Sequence, residues 1–182
     1  ALSVRLLLSD RLVHLVEEGV DAAVRIGQPA DSSLIAIKVG EVRRVLVASP
    51  AYLAAHGMPQ SPADLAGHAL VAFEGVDFTS EWRFGGTRPL TLRIEPRLAV
   101  NSADAAIAAA EAGLGITRTL SYQVHEAVQA GRLRLVLDGF APPGVPVQVV
   151  YPPGRRGAAN VTAFMHAARA HFATLPMLAA PD

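Results

Sequence analysis

Apolar side chains fall at every second position over residues 2–8 (Leu2, Val4, Leu6, Leu8), and a period of two predicts a strand. Ser9 and Asp10 then offer a helix N-cap. Leu12, Leu15 and Val16 recur at helical spacing and Gly19 is a stop, so a helix is expected between Asp10 and Gly19. Residues 20–26 are a short apolar run with β-branched members, closed by Gly27 and Pro29, and read as a buried strand. Strand, helix and strand at this spacing predict a βαβ unit with a parallel pair. Two more strands are expected over 34–39 and 42–48, separated at Gly40. Ser49-Pro50 opens a helix over 52–56 that Gly57 ends. Ser61 to Asp64 has capping-box spacing before a second short helix stopped at Gly67.

Further along, 70–73 reads as a strand and 74–88 as mixed, holding the single tryptophan, Trp82. Leu90, Leu92 and Ile94 alternate, and 98–100 is another strand. Asn101-Ser102 caps an alanine-rich helix over 103–112 that ends at Gly113. Strands at 114–117 and 133–137 flank a helix over 122–130 capped by Ser121. Residues 141–146, rich in Pro and Gly, read as a crossover to a buried strand at 147–151. A closing amphipathic helix spans 158–175. Alternating strands and helices place the chain in the α/β class.

Composition narrows the function. The 182 residues suit one domain or two small lobes, and 51% hydrophobic with 18% charged residues excludes a disordered or collagen-like chain. Sixteen basic residues balance sixteen acidic ones, which argues against a large nucleic-acid surface in this segment, because phosphate contacts need a basic excess. Cysteine is absent, which excludes disulfides and thiolate metal sites. No apolar run reaches about 18 residues, so no spanning helix is expected, and the first residues do not resemble a signal peptide.

Catalytic chemistry finds little support. Six histidines are scattered without an i, i+4 metal pair, no serine sits in a G-x-S-x-G elbow, and Gly113-Leu114-Gly115 follows a helix and lacks the rest of a dinucleotide fingerprint. The reading is therefore no enzyme, no metal and no cofactor. More informative are two polar helix starts, Ser9-Asp10 and Asn101-Ser102, each following a predicted strand. Open α/β sheets bind ligands at the carboxyl ends of their strands, where free N–H groups favour an anion. Each start taken singly is also an ordinary cap.

As a whole the chain resembles the effector-binding domain of LysR-type transcriptional regulators. The resemblance is carried by residues 8–27 (LSDRLVHLVEEGVDAAVRIG), residues 47–57 (VASPAYLAAHG), Asp64-Leu65 with His68, Trp82-Arg83-Phe84, Val100-Asn101-Ser102, residues 112–116 (AGLGI), Gly131-Arg132-Leu133 and Val161-Thr162-Ala163-Phe164. It implies a type II periplasmic-binding-protein-like fold of two lobes, each a mixed sheet flanked by helices. The lobes are expected to be residues 1–71 plus 145–182, and 72–144, with two crossovers as a hinge. It further implies that the helix-turn-helix DNA-binding domain lies outside this chain, and that the effector domain's own first strand and helix are missing from it.

Carried over by position, Ser9 faces the effector from the first lobe and Asn101 and Ser102 from the second. Phe73 borders the cleft and Thr117 lines its floor. Arg25 meets a carboxylate or, as an equal alternative, serves packing or an ion pair. Trp82 and Tyr52 are read as packing. The expected function is effector sensing in a cytoplasmic bacterial regulator: a small organic anion binds between lobes and alters DNA binding through the other domain of a homodimer or homotetramer, with no membrane partner. The alternative is the solute-binding module of a transport system.

Overall fold

The structure, a computed structural model, describes residues 3–9, 13–27, 33–73, 81–85, 89–175 and 178. The chain divides into two compact units, Ala1–Val42 with Gly144–Asp182, and Arg43–Pro143.

The first unit is built on a three-stranded antiparallel sheet. Strand β1 (Ala23–Ile26) and strand β2 (Ile35–Val42) flank a strand near the end of the chain, Val145–Tyr151, numbered β10. Helix α4 (Ala159–Phe172) covers one face of β10 and β2. Val161, Met165 and Ala168 meet Val149 and Tyr151, with Ile35, Ile37 and Val39 at the margin. β2 runs straight through Gly40, where two strands were expected to part. Gly40 lies opposite Val147 at a break in register, a bulge rather than a turn. A Cβ at Gly40 would lie 3.0 Å from the Leu178 carbonyl oxygen, so a side chain there would press on Leu178.

The opening βαβ expectation fails. Residues 3–9 form no strand, and Val4, Leu6, Leu7 and Leu8 are exposed. Asp10, Arg11 and Leu12 lie outside the described residues. Residues 15–19 make a turn rather than a helical face: Leu15 is buried while Val16 is 72% exposed. β1 pairs antiparallel with β10, Arg25 opposite Gln148. Local periodicity carries no information about a partner so far along the chain.

The second unit holds a five-stranded sheet in the order β7 (Leu98–Val100), β4 (Leu70–Phe73), β8 (Ile116–Leu120), β3 (Arg44–Ala48), β9 (Arg134–Val136). β4 is parallel to β7 and β8, and β3 is antiparallel to β8 and β9, so four strands point one way and β3 the other. Both faces are covered. Leu46, Ala48, Leu70, Ala72 and Ile116 point towards helix α1 (Pro50–His56) and the hairpin of β5 (Glu81–Phe84) and β6 (Leu90–Arg93). There Tyr52, Leu53, Leu65, Trp82 and Phe84 complete the core. On the other face Val45, Val47 and Val71 meet Ala106, Ala109 and Ala110 of helix α2 (Ala103–Glu111) and Ala127 of the short helix α3 (His125–Gln129).

The first boundary expected, after residue 71, falls inside this sheet. β3 pairs with β8 and β9, so the chain enters the second unit at Arg43 and leaves it at Pro143. The local signals at α1 hold: Ser49 Oγ accepts from the Tyr52 N–H, Pro50 opens the helix and Gly57 closes it. Ser61 opens a 3-10 helix, Pro62–Gly67, whose Asp64 carboxylate accepts from the N–H groups of Gln60 and Ser61. The strand expected over 114–117 starts two residues later and extends to Leu120. Leu114 is exposed and Gly115, at φ 154°, lies against the Ala69 carbonyl.

Candidate functional site

The strands of the second unit that run together, β7, β4, β8 and β9, end along one edge of the sheet. Phe73 closes β4 directly opposite Val100 of β7. The chain then turns through exposed Asn101 into half-buried Ser102, the N-cap of α2. Ser102 takes extended backbone angles, and its hydroxyl accepts from the Ala105 N–H at 3.4 Å. The first N–H groups of a helix have no partner within it, so this end of α2 offers donors and the positive end of the helix dipole. Asp104, in the first turn, is an opposing carboxylate and weakens that field. Phe73 packs with Val100 against Ala106 and Ala109, so an apolar wall stands beside the polar turn.

The same edge carries side chains that sequence reasoning missed. Thr119 Oγ1 donates to Gln123 Oε1 at 2.6 Å, and the Leu120 N–H donates to the same oxygen at 3.0 Å. Ser121 was expected to cap a helix. Its hydroxyl instead accepts from the Arg43 N–H at 3.1 Å, while its own N–H donates to the Arg43 carbonyl at 2.8 Å. The Arg43 guanidinium meets Asp138 at 3.0 Å, just past β9, where Leu137 takes a left-handed conformation at φ 53°. No local signal marks these groups, since Ser121 and Asp138 lie 78 and 95 residues from Arg43.

Three of the six expected ligand contacts thus converge: Phe73, Asn101 and Ser102. Thr117 lies inside the sheet, fully buried, its hydroxyl donating to the Val71 carbonyl at 3.0 Å. Arg25, in the first unit, donates from its guanidinium to the Val13 carbonyl, which ties the 13–19 segment to β1. Ser9 is exposed, also in the first unit. Trp82 is buried in the core and stacks under the Arg118 guanidinium at 5.5 Å.

Away from this edge, Tyr52 organises two histidines. Its hydroxyl accepts from the Ala69 N–H at 2.9 Å and lies within hydrogen-bond distance of His68 Nδ1, at 3.2 Å. The His56 ring stacks on Tyr52 at 4.3 Å. Burial, and then the charge of His56, lower the pKa of His68, while Asp64 opposes them. Among the described residues no cluster of three metal-ligating side chains occurs, and no helix is long and apolar enough to cross a membrane.

Comparison with known proteins agrees with this architecture. The regulatory domain of CrgA, a LysR-type regulator from Neisseria meningitidis, superposes with a TM-score of 0.76 at 26% identity, over 86% of this chain and 78% of that one. Among curated proteins, the uncharacterized HTH-type transcriptional regulator YhjC of Escherichia coli K12 is 34% identical over 86% of this chain and 53% of its own length. The HTH-type transcriptional regulator PtxR of Pseudomonas aeruginosa is 32% identical over 95% and 56%. The chain spans about half the length of these curated relatives. The fold is of the type II periplasmic-binding-protein-like kind. A family model described as the LysR substrate binding domain matches residues 1–173, and the chain belongs to that family.

Proposed function

We propose that this chain is the effector-sensing part of a bacterial transcriptional regulator, and that a small organic anion binds at the carboxyl edge of the second unit. The observation that carries the reading is the junction of β4, β7 and α2. There Asn101, Ser102 and the first N–H groups of α2 stand beside the apolar wall of Phe73. An anionic head takes the N–H groups and the Asn101 amide, and the carbon skeleton lies against Phe73. Arg43 and Asp138 neutralise each other and hold the neighbouring end of β3. Thr117 supports the frame of the second unit from inside the sheet.

Ligand binding shifts the protein between arrangements only as far as its affinity differs between them. DNA contact belongs to a part of the protein outside these 182 residues. The balanced charge of the chain and its HTH-type relatives of about twice the length support this. The whole protein is a cytoplasmic homodimer or homotetramer without catalytic activity. Regulators among the relatives favour this reading over a transport module.

The test is calorimetric. Small carboxylates are screened against the chain, and the tightest is remeasured on Asn101→Leu with Ser102→Val. Loss of two hydrogen-bonding partners of a charged ligand is expected to weaken binding at least about ten-fold. Unchanged affinity rejects the site.

A further inference from the structure

The hairpin of β5 and β6 borders a groove whose lining residues all belong to the second unit. Pro89, Leu90 and Thr91 form one wall, and Ala141, Pro142 and Pro143 form the other. The second wall is stiff by sequence. Proline fixes its own φ and keeps the residue before it out of helical angles, so Ala141-Pro142-Pro143 has little freedom. Ala141 takes φ −59° and ψ 139°, an extended conformation. The hairpin holds this wall close. The Gly85 N–H donates to the Phe140 carbonyl at 2.9 Å, and a Cβ at Gly85 would stand 2.5 Å from the Ala141 carbonyl oxygen. The groove is therefore built in advance rather than moulded around an occupant.

Its surface is apolar and poor in donors, since three of the lining residues are prolines and have no N–H. Leu90 stands opposite Phe84 and so shares the face on which Trp82 and Phe84 are buried, yet Leu90 is 44% exposed. The apolar side of the hairpin thus runs out into the open groove. Two polar side chains line the rim. Arg83 and Thr91 are directly opposite each other across the hairpin, on one face, with Cβ atoms about 5 Å apart. Among the described residues, neither engages its side chain in an ion pair or hydrogen bond. On the same face Glu81 and Arg93, also opposite each other, cancel in charge, which leaves Arg83 as the uncompensated cation. The groove encloses about 530 Å³, within the roughly 300–1,000 Å³ of small-molecule sites.

We infer that this groove binds a linear amphiphile of the medium-chain fatty-acid class. Its carboxylate pairs with the Arg83 guanidinium and the Thr91 hydroxyl, and its alkyl chain lies between Leu90 and the two prolines of the opposite wall. One guanidinium matches one negative charge, and the pair makes the stronger, charge-assisted kind of hydrogen bond. An alkyl chain asks for no partner from walls that offer none, whereas a polar body would lose its water without compensation. Each wall is a run of three consecutive residues, about 10 Å of extended chain, which suits a chain lying lengthwise. The site is separate from the β4–β7–α2 edge, because the hairpin covers the opposite face of the five-stranded sheet from α2. Its proline wall leads directly to Gly144, where the chain leaves the second unit, so an occupant restrains that crossover.

The test is a titration of the 182-residue chain with sodium octanoate, followed by amide chemical shifts. Octanol supplies the chain without the charge, and sodium acetate the charge without the chain. The expected result is a saturable shift centred on residues 83–85, 90, 91 and 141, with weaker binding of both comparison compounds. Arg83→Gln, an exposed substitution, is expected to lower octanoate affinity by about five-fold. Leu90→Ser, which removes apolar wall at a position open to solvent, is expected to lower it by a similar factor. The inference is overturned by shifts that do not saturate, by equal binding of octanol or acetate, or by an Arg83→Gln affinity equal to the parent's. Saturable shifts confined to residues 73 and 100–103 also overturn it, and they support the edge site instead.

Discussion

The two sheets solve the burial problem differently. In the second unit both faces are covered, and four of the five residues of β3 are buried, with successive side chains serving opposite cores. In the first unit α4 packs on one face of β10 and Val150 on the other face is buried too, but β1 and the first half of β2 alternate between half-buried and exposed positions, and Val4, Leu6, Leu7 and Leu8 stand in solvent. A parallel arrangement needs cover on both faces, whereas an antiparallel sheet tolerates exposed positions on its flanking strands. The second unit is therefore the stiffer frame, and it is the one that ends in aligned strand termini beside a helix start.

The largest way to break this contrast is to empty the double-faced core. Ile116 is fully buried between β4 and β3, and Ile116→Ala is expected to cost about 2–5 kcal/mol by cavity formation. Ile37→Ala, at a half-buried position of the less covered sheet, is expected to cost about half as much or less. Urea unfolding of each variant checks the order, and equal losses would refute the contrast.

A smaller effect is expected at Thr117. Thr117→Val keeps the shape and removes the hydroxyl that serves Val71, at about 1 kcal/mol in the same assay.

Acid separates the units in another way. Because His68 has a pKa below its ordinary 6.5, the folded second unit prefers the neutral ring. The associated stability is complete above pH 6.5 and is lost as pH falls from there through the lowered value. His68→Gln is expected to flatten the dependence of the unfolding midpoint in that window. A midpoint that declines as steeply as the parent's would rule out this histidine. Asp64, lowered by the Gln60 and Ser61 N–H groups, adds a later loss as pH falls below its ordinary 3.8.

The smallest effects belong to half-exposed ion pairs. Arg132→Ala, which frees Glu111, is expected to change stability by no more than about 1 kcal/mol.

The chain wrote its helix ends plainly and its pairings poorly. Ser49-Pro50, Ser102 and Gly57 act within one turn of themselves, so their caps are readable in order along the sequence. The partner of β1 is more than a hundred residues away, and nothing within β1 distinguishes β10 from a nearer strand. Gly40 was misread because a glycine within an apolar run marks a bulge as well as a turn. For the candidate site the same rule holds. Phe73, Asn101 and Ser102 announce themselves as a strand end and a cap, while Arg43, Ser121 and Asp138 meet only through the tertiary fold.

The most direct measurement is a crystal structure of the chain with the tightest carboxylate found by screening. The account predicts its anionic group within hydrogen-bond reach of Asn101, Ser102 or the first N–H groups of α2, and its carbon skeleton against Phe73. A ligand that leaves these residues untouched contradicts it.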